Sequence, residues 1–194
     1  MIDMSKMSNS MLKMNWEAAC KRLRYVAQRM EENPISIDGE NKTLNAINKY
    51  YFDALKNLFT DGVSFIKVSR STSPSWNSYR VIISMLADEM ESATIVDVMR
   101  ANYKPIEEFL CETGFARSCE ECGKLIFEGY NFYDEQNLCK YCAEKVADEQ
   151  EYEWNHGNQN EYAEEVLKVF GRIEADEDEI DNSGIYYTDW EGEF

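Results

Sequence analysis

The sequence predicts an α-rich N-terminal domain over residues 1–114. A small metal-stapled module of β-hairpin plus helix follows over 115–150, and then an acidic, partly helical C-terminal extension over 151–194. Three observations predict this. Apolar residues recur at helical spacing through much of the first part. Four cysteines then form two identical clasps, Cys119-Glu-Glu-Cys122 and Cys139-Lys-Tyr-Cys142, separated by sixteen residues. Finally, charge divides the chain: residues 1–110 hold fourteen basic and fourteen acidic residues, whereas 111–194 hold six and twenty-three, the whole net charge of −17.

In the first part, Trp16, Ala19, Cys20, Leu23, Val26, Ala27 and Met30 make one helical stripe, with Lys21, Arg22, Arg29 and Glu31 outside it. Asn33-Pro34 stops that helix. A second is expected from a Thr43 cap through Leu44, Ile47, Tyr51, Leu55 and Leu58 to Asp61-Gly62, and Val63–Val68 alternates as a short strand. The loop Arg70–Arg80 carries hydroxyls and two arginines that could hold phosphate, but it lacks Gly-rich spacing and reads as a connection. A helix over 76–91 would bury Trp76, Tyr79, Ile83, Leu86 and Met90. Ser92-Ala-Thr94 resets the chain for a short helix through Arg100. Pro105 then suits the first turn of a separate helix, Ile106–Thr113, ended by Gly114. Cys20 and Cys111 read as buried residues of helical patterns.

The C-x2-C spacing lets two thiolates reach one ion from a tight turn, and the spacer is long enough for a hairpin to bring the second clasp opposite the first. Cys119, Cys122, Cys139 and Cys142 are therefore expected to bind one zinc tetrahedrally, with a disulfide or redox role, or rubredoxin-like iron, as the alternatives. Gly123-Lys124 suits a knuckle, Leu125-Ile-Phe and Asn131-Phe-Tyr read as a hairpin turning at Gly129, and Cys142 should sit in the first turn of a helix opening at the second clasp. Knuckle, hairpin and helix together resemble the treble-clef zinc fingers, a group that includes GATA and LIM fingers. The resemblance covers about 30 residues and implies fold and metal. The terminal Gly184-Ile-Tyr-Tyr-Thr-Asp-Trp-Glu191 is similar to segments that follow small cysteine fingers in uncharacterised phage and mobile-element proteins, which implies a source rather than an activity.

GATA-type fingers dock a basic helix on DNA, but the matching helix here carries Glu144, Asp148, Glu149, Glu151 and Glu153 against Lys145. Phosphate would be repelled, which disfavours direct nucleic-acid binding. Residues 143–194 combine three basic and seventeen acidic residues with eight aromatics, more than a solvating tail carries. Within them Tyr162, Val166, Leu167 and Phe170 are spaced as a helix, capped by Asn158 or Asn160. The acidic run Glu174, Asp176, Glu177, Asp178, Glu179 and Asp181, with Tyr186, Tyr187 and Trp190, is the expected partner-binding surface.

No catalytic residue is expected: His156, the single histidine, lies in a polar stretch without a partner, and four thiolates leave a metal no open position. The expected function is a non-enzymatic adaptor or inhibitor bound to a basic, nucleic-acid-handling protein, such as a polymerase, nuclease or defence enzyme. A phage-encoded counter-defence or host-takeover protein would fit this role. The alternatives are a nucleic-acid-binding zinc-finger regulator, which would rely on Arg70, Arg80 and the Lys21, Arg22 and Arg29 face, and a structural component of a virion or other assembly. Residues 1–14 offer no continuous apolar segment, and no later stretch approaches the roughly 18–20 apolar residues of a membrane span. The expected location is the cytoplasm, the host's if the source is a phage, with free thiols.

Overall fold

A computed structural model describes residues 7–32, 76–93 and 95–192. The expected helix from Thr43, the strand Val63–Val68, Arg70, Thr94 and Phe194 lie outside these residues, as do the side chains of Trp76 and Tyr79. The chain divides into two compact units, Met1–Arg117 with Trp190–Phe194, and Ser118–Asp189.

The described part of the first unit is three helices: α1 (Asn9–Glu32), α2 (Trp76–Ser92) and α3 (Val96–Glu112), with α1 packed on both others. Helix α1 begins seven residues before the apolar stripe that announces it. The Ser8 hydroxyl accepts a hydrogen bond from the Met11 N–H at 3.1 Å, so a serine cap starts the helix and Leu12 joins the buried face. That face contains all seven residues of the expected stripe. Trp16 donates its indole N–H to the Met90 carbonyl at 2.7 Å, and the Cys20 thiol lies 3.1 Å from the Ala87 carbonyl, so both polar edges are satisfied inside an apolar contact. Cys111 is only half-buried.

Pro105 does not begin a helix. It lies inside α3, which runs unbroken from Val96 to Glu112. A proline there forgoes one backbone hydrogen bond and costs about 3 kcal/mol. The buried face Met99, Asn102, Tyr103, Ile106, Phe109 and Leu110 spans the proline on both sides, and its burial offsets that cost. At the helix end, Gly114 takes a φ of 77°, and the N–H groups of Gly114 and Phe115 return to the carbonyls of Cys111 and Leu110, a Schellman ending.

Arg22 is not part of an outer basic face. Its Nε donates to the Phe115 carbonyl at 2.6 Å and its Nη2 to the Trp190 carbonyl. Residues 190–192 thus close onto the helical unit, where the Gly192 N–H also bonds the Gly114 carbonyl at 3.1 Å. Arg80 pairs with Glu31 at 3.4 Å.

Strands β1 (Arg117–Ser118) and β2 (Leu125–Ile126) pair as a two-stranded ladder, and the second unit holds an antiparallel sheet of order β4-β3-β5, formed by β3 (Glu128–Phe132), β4 (Gln136–Leu138) and β5 (Ile185–Asp189). Helices α4 (Lys140–Asn155), α5 (Glu161–Val169) and α6 (Glu177–Asp181) complete it. Because β5 pairs with β3, the segment 151–189 shares one unit with the cysteine clasps instead of extending beyond them. Asn160 caps α5 by accepting from the Ala163 N–H at 2.9 Å, and Ala163, Val166 and Leu167 are buried, while Tyr162 is 39% exposed.

The hairpin differs from the expected one. Its turn is Tyr133-Asp134-Glu135, with φ of 55° and 59° at Tyr133 and Asp134. Gly129 lies inside β3, where a Cβ would come within 2.4 Å of the Leu138 carbonyl oxygen. Left-handed Tyr and Asp are held by the Asn131 side chain, which accepts from the Asp134 N–H at 2.8 Å, and by partners distant in sequence. The Tyr133 N–H bonds the Gly184 carbonyl at 2.7 Å, its hydroxyl reaches Glu165, and Asp134 accepts from the Tyr186 hydroxyl at 2.5 Å.

Candidate metal centre

The fold brings the two clasps together through backbone geometry at each. Cys119 and Cys122 sit on the turn between β1 and β2. There the Cys119 N–H bonds the Lys124 carbonyl and the Gly123 N–H bonds the Cys119 carbonyl, both at 2.8 Å. Cys139 follows β4 directly as the N-cap of α4, and Cys142 lies in that helix's first turn. The Cys139 side chain makes no capping hydrogen bond, so its sulfur is not committed to the helix end.

Two residues that no cysteine motif announces fix the clasps opposite one another. The Glu120 N–H bonds the Asn137 carbonyl at 3.0 Å, and the Glu120 carboxylate accepts from the Asn137 N–H at 3.1 Å. This reciprocal staple ties the knuckle to β4 two residues before Cys139. Its only sequence trace is a polar pair in ordinary positions.

The four sulfurs of Cys119, Cys122, Cys139 and Cys142 all lie within 4.8 Å of one another, close enough to hold a metal ion. Cys122 and Cys139 are 3.9 Å apart. A tetrahedral site with metal–sulfur bonds of about 2.3 Å has sulfur–sulfur edges of about 3.8 Å, which the Cys122–Cys139 separation matches and the rest of the cluster approaches; a disulfide needs about 2.05 Å. Three of the cysteines are buried and Cys122 is the most exposed.

Electrostatics point the same way. Burial opposes ionisation of Cys119, but backbone N–H groups of Cys139, Cys122 and Glu121 outweigh it and bring the thiol below its ordinary pKa. At Cys122 burial pushes the thiol up, and at Cys142 burial and the neighbouring sulfurs push it up strongly. Four crowded sulfurs resist full ionisation on their own, and a divalent cation among them would remove that resistance.

His156 is not near this centre in the sense of a ligand: it is exposed, forms the C-cap of α4, and places Nδ1 2.7 Å from the Tyr152 carbonyl with its ring stacked on Tyr152 at 4.0 Å. His156→Ala is expected to leave metal content unchanged and to cost at most about 1 kcal/mol of stability, measured by urea denaturation.

The acidic run is partly built into the fold. Asp176 and Glu179 form a capping box at α6, and Glu179 also pairs with Lys168 at 2.9 Å. Glu174, Glu177, Asp178 and Asp181 are exposed. Tyr186 and Tyr187 are 46% and 48% exposed, but Trp190 is 9% exposed within the helical unit and so offers a partner little surface. No known protein family, curated protein or solved structure matches the chain. Among the described residues no helix is long and apolar enough to cross a membrane.

Proposed function

We propose that the four cysteines bind one zinc ion in a treble-clef arrangement, and that the chain is a non-enzymatic adaptor or inhibitor docking through its acidic surface on a basic, nucleic-acid-handling protein. The observation that supports this reading most is how the second unit uses its few cations. Residues 118–189 contain five basic and twenty acidic residues. Arg172 faces Glu144, Asp148 and Glu151 at 3.5, 2.8 and 3.7 Å; Lys168 pairs with Glu164 and Glu179, and Lys145 with Glu149. Three of the five cations are thus matched to carboxylates, Lys168 as the most covered of them, and twenty acidic against five basic residues leave the unit strongly negative. A surface of that sign steers association with a positive partner and repels phosphate. Zinc suits a closed set of four soft thiolates, which leaves no coordination position for water, and the metal's role is then to hold the acidic surface in shape.

Capture from host extract is expected to return a protein that handles nucleic acid, with affinity falling at least about tenfold between about 50 and about 200 mM salt. Changing Glu174, Glu177, Asp178 and Asp181 together to Gln or Asn spares the α6 capping box and is expected to slow association about tenfold with little change in dissociation. A DNA-binding finger would instead gain affinity for DNA in the same variant. If the neutralised protein associates with its partner as fast as the parent, the acidic surface is solvation and the reading falls.

A further inference from the structure

The three-stranded sheet has two edges, and the protein treats them differently. On the β4 edge, the outward N–H and C=O of Asn137 are both taken by Glu120. On the β5 edge, the Tyr133 N–H bonds the Gly184 carbonyl, which sets the alternation: Gly184, Tyr186 and Thr188 direct their backbone groups toward β3, and Ile185, Tyr187 and Asp189 direct theirs outward. The Ser183 hydroxyl engages both groups of Ile185, at 3.1 and 3.2 Å. No described residue bonds the outward groups of Tyr187 and Asp189.

Resting on the acidic-docking reading above, we infer that the outer edge of β5 at Tyr187–Asp189 is a strand-addition site for a Lys- or Arg-bearing extended segment of a partner protein. Unpaired edge groups template a further strand, and folds usually block them as Glu120 and Ser183 do here. The side chains around the open stretch select the occupant. Glu128 lies beside the Tyr187 hydroxyl, Asp189 is on the strand itself, and Asp134 holds the Tyr186 hydroxyl. Two tyrosine rings, each about half exposed, add faces on which a cation can rest. A second copy of this chain is disfavoured as occupant, since it would bring another −17 against the same edge.

The test uses the full-length zinc-loaded protein and two decapeptides, one alternating lysine with valine and one alternating threonine with valine. The lysine peptide is expected to bind and to slow amide exchange at Tyr187 and Asp189. Asp189→Pro removes the outward donor without touching a bond to β3 and should weaken binding about tenfold, whereas Asp189→Asn keeps the donor and should weaken it about threefold. Slowed exchange in the unaltered protein carries the inference even if Asp189→Pro does not fold. Binding of the lysine peptide with no protection at these two amides overturns the edge site and leaves the acidic-docking reading standing. Equal binding of the threonine peptide, with protection, overturns the basic occupant and the acidic reading while the edge remains. Binding by neither peptide overturns the edge site.

Discussion

Elemental analysis of the reduced, freshly purified protein is expected to give one zinc per chain, and the double change Cys119→Ser with Cys139→Ser is expected to unfold Ser118–Asp189. The physical reason is that the clasps are held by few other contacts. The knuckle is a short turn joined to β4 by the Glu120–Asn137 staple, and β1 and β2 are two residues each. Sites of this kind contribute on the order of 10 kcal/mol of apparent folding energy, far above what those hydrogen bonds supply. Loss of one sulfur from each clasp leaves two ligands that cannot close the coordination shell. Hydrogen exchange would show protection lost across β3, β4 and α4. Metal-free reduced protein with unchanged protection would overturn the zinc reading.

Gly129→Asn is expected to destabilise the protein by about 2–3 kcal/mol, seen as a lowered urea midpoint at unchanged slope. At a hairpin turn the same change would be nearly neutral, because Asn tolerates turn conformations. Gly129 instead lies in β3, paired with Thr188 of β5, and any Cβ meets the Leu138 carbonyl oxygen at 2.4 Å and the Ile126 side chain at 3.2 Å. The backbone oxygen cannot move aside without breaking the β3–β4 ladder. A variant as stable as the parent would put the turn back at Gly129.

The contrast at Gly129 marks where local patterns stop being informative. A glycine between two apolar runs signals a turn on propensity alone, yet the turn forms four residues after Gly129, at Tyr133-Asp134-Glu135. Tyr is a poor left-handed residue, and besides the local bond from the Asp134 N–H to Asn131, the Gly184 carbonyl, Glu165 and Tyr186 hold the turn. The last three come from segments more than thirty residues away. Pro105 is the same case in a helix: its local preference for a first turn yields to a buried face that continues on both sides.

What the sequence by itself determined are features whose cause is local. The end of α3 at Gly114, the buried face of α1 and the place of Cys142 in a first helical turn each follow from a few adjacent residues and the period of the backbone, and the same signals narrow the cap of α5 to Asn158 or Asn160, of which the fold uses Asn160. The four-cysteine set is legible for a related reason, since two residues between thiols lets both sulfurs of a clasp reach one point from a tight turn, and the two clasps do bring their sulfurs together. Tertiary structure alone decided the rest: that Arg22 and Trp190 turn inward to close the helical unit, that Asp176 and Glu179 serve α6, and that Glu120 takes the outward groups of Asn137 in β4 while Ser183 takes those of Ile185 in β5. Each depends on which backbone group finds which partner across tens of residues, and a hydrogen bond of that range leaves no periodicity in the sequence for a reader to find.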